Sequence, residues 1–108
     1  MKKAFESLND LGRFSEPALL ILISLADSPK HGYAMTQDIE AVSGQRLGPG
    51  TLYGAIARLE ARKWIEPLPA DDRRRPYRLT GAGQKVLRAR LDSLRAVAKI
   101  GHARLVEN

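Results

Sequence analysis

The 108-residue chain contains no cysteine. That removes disulfides, thiolate metal sites and cysteine nucleophiles together, and it fits a reducing compartment. Long apolar runs are missing too: the longest, Ala18 to Leu25 broken by Ser24, falls far short of the roughly 20 residues that cross a bilayer. Histidine is scarce. Neither His31 nor His102 has a neighbouring nucleophile or ligand spacing, so capping or packing is expected of the first and solvent exposure of the second. Asp71 and Asp72 are adjacent on a polar stretch and lack the fixed mutual geometry that metal binding or acid/base work requires. No catalytic apparatus, metal site or cofactor site is therefore expected. After Met1-Lys2-Lys3 come Glu6, Asn9 and Asp10, where a signal peptide needs its apolar stretch, so the expected location is the cytoplasm.

What is present is an ordinary globular composition, 44% hydrophobic and 28% charged, in a length that predicts one domain over 1–108 with one core. The net charge is +6, unevenly spread. Residues 1–54 hold five Lys or Arg against six Asp or Glu, whereas residues 55–108 hold thirteen against six. A basic second half favours a polyanionic partner, nucleic acid or an anionic membrane surface. A solvated basic face gives the same count, so the charge needs a geometry behind it.

The hydrophobic spacing supplies one. Ala4, Phe5, Leu8 and Leu11 predict a short amphipathic helix over 1–12, stopped at Gly12. Ser15-Glu16-Pro17 reads as an N-cap, an acid at the positive helix end and a first-turn proline, opening a helix to about Ala26 that is apolar nearly all round and so belongs in the core. Asp27-Ser28-Pro29 ends it. A third helix after His31-Gly32-Tyr33 presents Met35, Ile39 and Val42 inward and closes at Ser43-Gly44. A fourth opens at Gly48-Pro49-Gly50-Thr51 with Leu52, Ile56 and Leu59 inward. Two short helices joined by a brief glycine-containing turn behind a buried one form the helix-turn-helix arrangement. Residues 64–68 and 76–79 predict strands around a polar tip at 70–75. Pro67, Pro69 and Pro76 confine them to a small edge hairpin, which suits a wing. Thr80 caps a last helix, over 81–106, in which Leu87, Leu91, Leu94, Ala98, Gly101 and Leu105 step by 4, 3, 4, 3, 4. The helix that carries this heptad-like seam, roughly 39 Å long over 81–106, exceeds what so small a domain covers by itself and implies a partner helix. The fold class is mostly α with a small β-hairpin: a winged helix-turn-helix core over 15–80, with N- and C-terminal dimerisation helices. Phe5 and Leu8 join the C-terminal seam as candidate dimer contacts.

On the helix opened by Pro49, the inward stripe leaves Thr51, Tyr53, Gly54 and Arg58 on exposed sides, suited to a major groove, with Pro49 and Gly50 positioning the helix entry. Arg73, Arg74 and Arg75 on the wing tip suit flanking phosphates. Tyr33 is a further phosphate candidate. Trp64, between helix and wing, is expected to pack.

His31-Gly32-Tyr33, Pro49-Gly50-Thr51-Leu52-Tyr53 with Leu59-Glu60, and Arg74-Arg75-Pro76-Tyr77-Arg78-Leu79-Thr80 followed by Gly83 together resemble the signature of PadR-family transcriptional regulators, in order and in spacing, across about residues 15–85. The resemblance implies a sequence-specific repressor that binds double-stranded DNA at an inverted repeat as a homodimer. The compact branch, dimerised through one short N-terminal and one long C-terminal helix, is the similar one. The family also implies release by a small aromatic or hydrophobic effector. Lys63 departs from the glycine usual before the first wing strand, and Trp64 from the common aliphatic residue. The C-terminal helix lacks the aromatic residue that stacks on ligand in drug-binding compact members, so drug binding does not carry over. Two rivals remain: a winged helix used only for protein assembly, which would show no salt-dependent DNA binding, and a small enzyme, which lacks its constellation.

Overall fold

The computed structural model describes residues 7–107. A 3₁₀ segment, Leu8–Phe14, leads into α1 (Ser15–Asp27), α2 (Gly32–Ser43), α3 (Pro49–Ala61), the strands β1 (Ile65–Pro67) and β2 (Tyr77–Leu79), and α4 (Gly81–Glu107). The expected hairpin and helix-turn-helix are both present. The first helix differs in its described part: residues from Leu8 wind as 3₁₀, and Gly12 bends the chain at φ 58° before Ser15 starts α1. Ser15 is accordingly not the cap but the first helical residue, and Phe14 takes the cap position without a side-chain bond.

Helix α1 is the hub. Ala18, Leu20, Ile21, Leu22 and Leu25 are buried, and the helix touches the 3₁₀ segment, α2, α3, β2 and α4. Its negative end is covered by Lys30, whose Nζ donates to the Ser24 carbonyl at 2.6 Å and sits 3.4 Å from the Asp27 carboxylate. Helix α2 starts under His31, whose Nδ1 accepts from the Ala34 N–H at 3.4 Å, and stops at Gly44 in the left-handed conformation, φ 76°. Met35 and Ile39 reach the core, but Val42 does not: it is exposed, because the helix's last turn runs past the edge of its neighbours. Helix α3 begins with Pro49 in its first turn and buries Leu52, Ala55, Ile56 and Leu59.

The exit from α3 fixes the wing. The Trp64 N–H reaches back to the Leu59 carbonyl (3.1 Å) and the Lys63 N–H to the Glu60 carbonyl (2.9 Å), the paired bonds of a Schellman cap with Lys63 left-handed at φ 63°. Trp64 is buried against the core. The strands pair antiparallel, Ile65 with Leu79 and Pro67 with Tyr77. The Tyr77 N–H and carbonyl face away from β1 and bond Lys30 instead (3.0 and 3.2 Å), so the donor Pro67 lacks is not called for. At the tip, Asp71 and Arg74 exchange backbone bonds at 2.7 and 2.9 Å around Asp72 and Arg73, both at positive φ. Between that pair and the Leu68–Pro76 bond, the first arm carries one residue more than the second.

Thr80 Oγ1 accepts from the Gly83 N–H at 3.0 Å and donates to the Lys63 carbonyl at 2.7 Å, capping α4 while tying it to the end of α3. Leu87 is 6% exposed and belongs to the protomer's own core, as does Leu8 at 1%. Neither is available as free surface, which corrects their placement on the seam: Leu87 lies in the part of α4 that packs on the protomer, and the 3₁₀ segment turns Leu8 inward. Farther along the helix, Leu91, Leu94 and Leu105 are 40%, 42% and 73% exposed, with Ala98, Gly101, Val97 and Ile100 also open. Phe5 lies outside the described residues. The elongated outline, 55 × 41 × 22 Å, reflects this protruding rod.

Candidate nucleic-acid interface

Two flanks of α3 have different surroundings. Tyr53 projects from one flank across the start of α2, close enough that any Cβ at Gly32 would overlap its hydroxyl. The glycine lets the second helix of the pair cross the first at short range. Tyr53 and Tyr33 remain 54% and 64% exposed, and the Gln37 amide donates to the Tyr33 hydroxyl at 3.3 Å. The wing folds back towards them. A depression of about 330 Å³ is lined by His31, Tyr33, Tyr53, Tyr77 and the arginines 73 to 75. A second, of about 400 Å³, continues past Tyr33 and Tyr53 to Arg46 and Pro49. Tyr33, Pro49, Tyr53 and the three wing arginines thus border one contiguous surface, rich in cationic and hydroxyl donors.

The three arginines are not equivalent. Arg75 donates to the Leu68 carbonyl across the hairpin at 2.8 Å, and Arg74 Nη1 lies 3.4 Å from His31 Nε2, so both help hold the wing in place. Arg73 stands at the turn apex, exposed. Arg78 pairs with Glu66 on the hairpin. Burial pushes the phenol of Tyr77 above its ordinary range, and the negative charge of Glu60 adds to this while Arg75 opposes it, so its hydroxyl stays a neutral donor at the wing base. Six of the thirteen cations in the second half of the sequence ride on α4 and not on α3 or the wing.

The opposite flank of α3 is occupied. Phe14 lies against Gly54, where a Cβ would come within 2.8 Å of its ring. Arg58 stacks its guanidinium 3.9 Å from the centroid of that ring and donates to the Gly54 carbonyl at 3.0 Å. Gly54 is therefore covered, and Arg58 leans along α3 instead of extending freely. Pro49, Gly50 and Thr51 are exposed at the helix entry, with Thr51 on the Arg58 side by helical period. Sequence reasoning missed Phe14, Arg46, His31 and Tyr77 as parts of this surface. The one available signal was Gly54, since a glycine inside a helix marks a close approach. Among the described residues, no group of His, Asp and Glu is placed to hold a metal, and no helix is long and apolar enough to cross a membrane.

Residues 21–89 match the model of the transcriptional regulator PadR-like family. Over 82 residues, 76% of the chain, it is 50% identical to an uncharacterized 37.1 kDa protein in transposon TN4556 of Streptomyces fradiae, and spans 24% of that protein. It is 43% identical to the transcriptional regulator Rv3488 of Mycobacterium tuberculosis over 72 residues, 64% of this chain and 66% of that one. The chain thus spans less than two thirds of either relative. Its fold is similar to that of a transcriptional regulator from Clostridium thermocellum (TM-score 0.73, 26% identity, 87% of this chain and 96% of that one). It is equally similar to that of a PadR family transcription regulator from Clostridium difficile (TM-score 0.73, 25% identity, 82% and 96%).

Proposed function

The chain belongs to the PadR-like family of transcriptional regulators, and from that premise we propose that it is a sequence-specific repressor that binds an inverted-repeat operator as a homodimer. One observation carries the reading: α3, Tyr33 and the wing arginines border a single donor-rich surface. Thr51, Tyr53 and Arg58 meet the major groove from α3, with Pro49 and Gly50 at the helix entry, where N–H groups suit a phosphate. Gly54 serves indirectly, as the seat of Phe14. Tyr33 and Arg73 meet the flanking backbone, while Arg74 and Arg75 set the wing's position as well as its charge. The homodimer rests on the apolar stripe from Leu91 to Leu105, which is exposed among the described residues. Release of DNA by a small aromatic or hydrophobic effector remains part of the proposal, on family grounds alone.

Selection of bound sequences from a random DNA pool tests this. The expected result is an enriched palindrome with half-sites about one helical turn apart, 34–36 Å or so. Enrichment of no sequence, with binding that salt does not weaken, would leave a winged helix used for protein assembly.

A further inference from the structure

We propose that Phe14 is a positioning residue for Arg58, presetting on the outer flank of α3 the guanidinium that discriminates between bases. The inference rests on the DNA-binding reading of α3 and deepens it.

Phe14 stands at the junction of the 3₁₀ segment and α1, two residues beyond the bend at Gly12. Leu11 on one side of it and Ala18 on the other are buried, so the backbone that carries the ring is fixed by the core. The ring lies so close to α3 that a Cβ at position 54 would come within 2.8 Å of it and one of the two would have to shift. Arg58, one turn on, covers the ring at 3.9 Å, a stacking distance, and uses one of its five N–H donors on the Gly54 carbonyl. Arg13 approaches the same ring at 5.0 Å. An exposed arginine otherwise samples many rotamers, and a bidentate base contact requires one. Restricting the side chain before DNA arrives moves that entropy loss from binding to folding. The arrangement also ties the base-reading flank to the 3₁₀ segment, which packs on α1 and α3.

The test combines a DNA-free readout with a double-mutant cycle. In the wild-type chain, Arg58 side-chain proton resonances are expected upfield of ordinary arginine values, because they lie over an aromatic face. Phe14→Leu should remove that shift and Phe14→Tyr should retain it. Affinities are then compared for the duplex that the wild-type protein enriches from a random pool and for a scrambled duplex of equal length. Arg58→Ala is expected to lower the ratio of the two by about 5- to 150-fold. Phe14→Leu should lower it by at least about twofold and Phe14→Tyr should restore it. The double variant Phe14→Leu/Arg58→Ala should be no worse than Arg58→Ala alone. Losses that add in the double variant, or a Phe14→Leu loss equal on both duplexes, overturn the proposal. Should Phe14→Leu fail to fold, an ordinary Arg58 spectrum or an impaired ratio in Phe14→Tyr does the same. Discrimination untouched by Arg58→Ala overturns this proposal alone, whereas a wild-type chain that prefers neither duplex overturns the DNA reading as well.

Discussion

Replacing Lys63 by glycine is expected to stabilise the protein. Lys63 occupies the left-handed position of the Schellman cap that ends α3, at φ 63°. A side chain there sets its Cβ against the following carbonyl, which costs about 1–2 kcal/mol. Glycine removes that term but gains about 0.5–1 kcal/mol of backbone freedom in the unfolded chain. The net gain is about 0.5–1 kcal/mol. With a urea m-value near 2 kcal/mol/M, the midpoint should rise by about 0.3–0.5 M, read at one fixed protein concentration because association shifts apparent stability. Lys63→Ala is the control: it removes the same charge and keeps the Cβ, so its midpoint should hardly move. If the glycine variant melts no later than the alanine variant, the left-handed strain assigned to this cap is wrong. Lys63 bonds the hairpin through its carbonyl, which Thr80 Oγ1 reaches at 2.7 Å, so neither variant should disturb the wing's attachment.

Gly83→Ala should do the opposite, lowering stability by about 3 kcal/mol or more in the same urea titration, since its Cβ would lie deep inside the Trp64 carbonyl oxygen, a backbone atom that cannot turn aside. Arg73→Ala should reduce the slope of log K against log salt by about 0.9 for each wing engaged, at unchanged stability. Arg75→Ala, which removes the Leu68 carbonyl's partner, should also raise amide exchange in the hairpin; equal behaviour of the two variants would contradict the division of labour at the tip. Leu91→Asp with Leu94→Asp should give a monomer in sedimentation that retains the wild-type helical signal, because both side chains lie outside the protomer core; a wild-type chain that is itself monomeric at micromolar concentration would remove the seam from the argument.

The helices of the core were legible in the sequence because burial there follows period: Leu52, Ile56 and Leu59 recur at helical spacing, and all three are buried. Period fails where a helix outlives its neighbours. Val42 continues the spacing of Met35 and Ile39, yet it is exposed, since spacing tells which side of a helix a residue takes and not how far the partner extends. The same blindness placed Leu87 on one seam with Leu91, although Leu87 is buried in the protomer's core and Leu91 is exposed. Arg73, Arg74 and Arg75 are one charge run in sequence, and their separate roles come from hydrogen bonds across the hairpin and to His31, 43 positions away from Arg74. Lys63 stood out as a departure from the family's glycine. That the position is left-handed follows from the cap geometry, which explains why glycine is usual there.

Helix α4 is pinned at one end and bare at the other, and that makes it a lever. Its first turn is clamped by Thr80 and by the close fit of Gly83 under Trp64, so α4, the wing base and the end of α3 turn as one body. From Gly81 to Leu94 is about 20 Å at 1.5 Å per residue. In the proposed dimer, a change of about 10° in the angle at which two such helices cross turns each by about 5°, so over that arm the two wing bases shift relative to one another by about 3.4 Å, the rise of one base-pair step. On the proposed reading the gearing is steep: whatever alters the crossing angle would change the half-site spacing that fits, without touching any residue assigned to DNA.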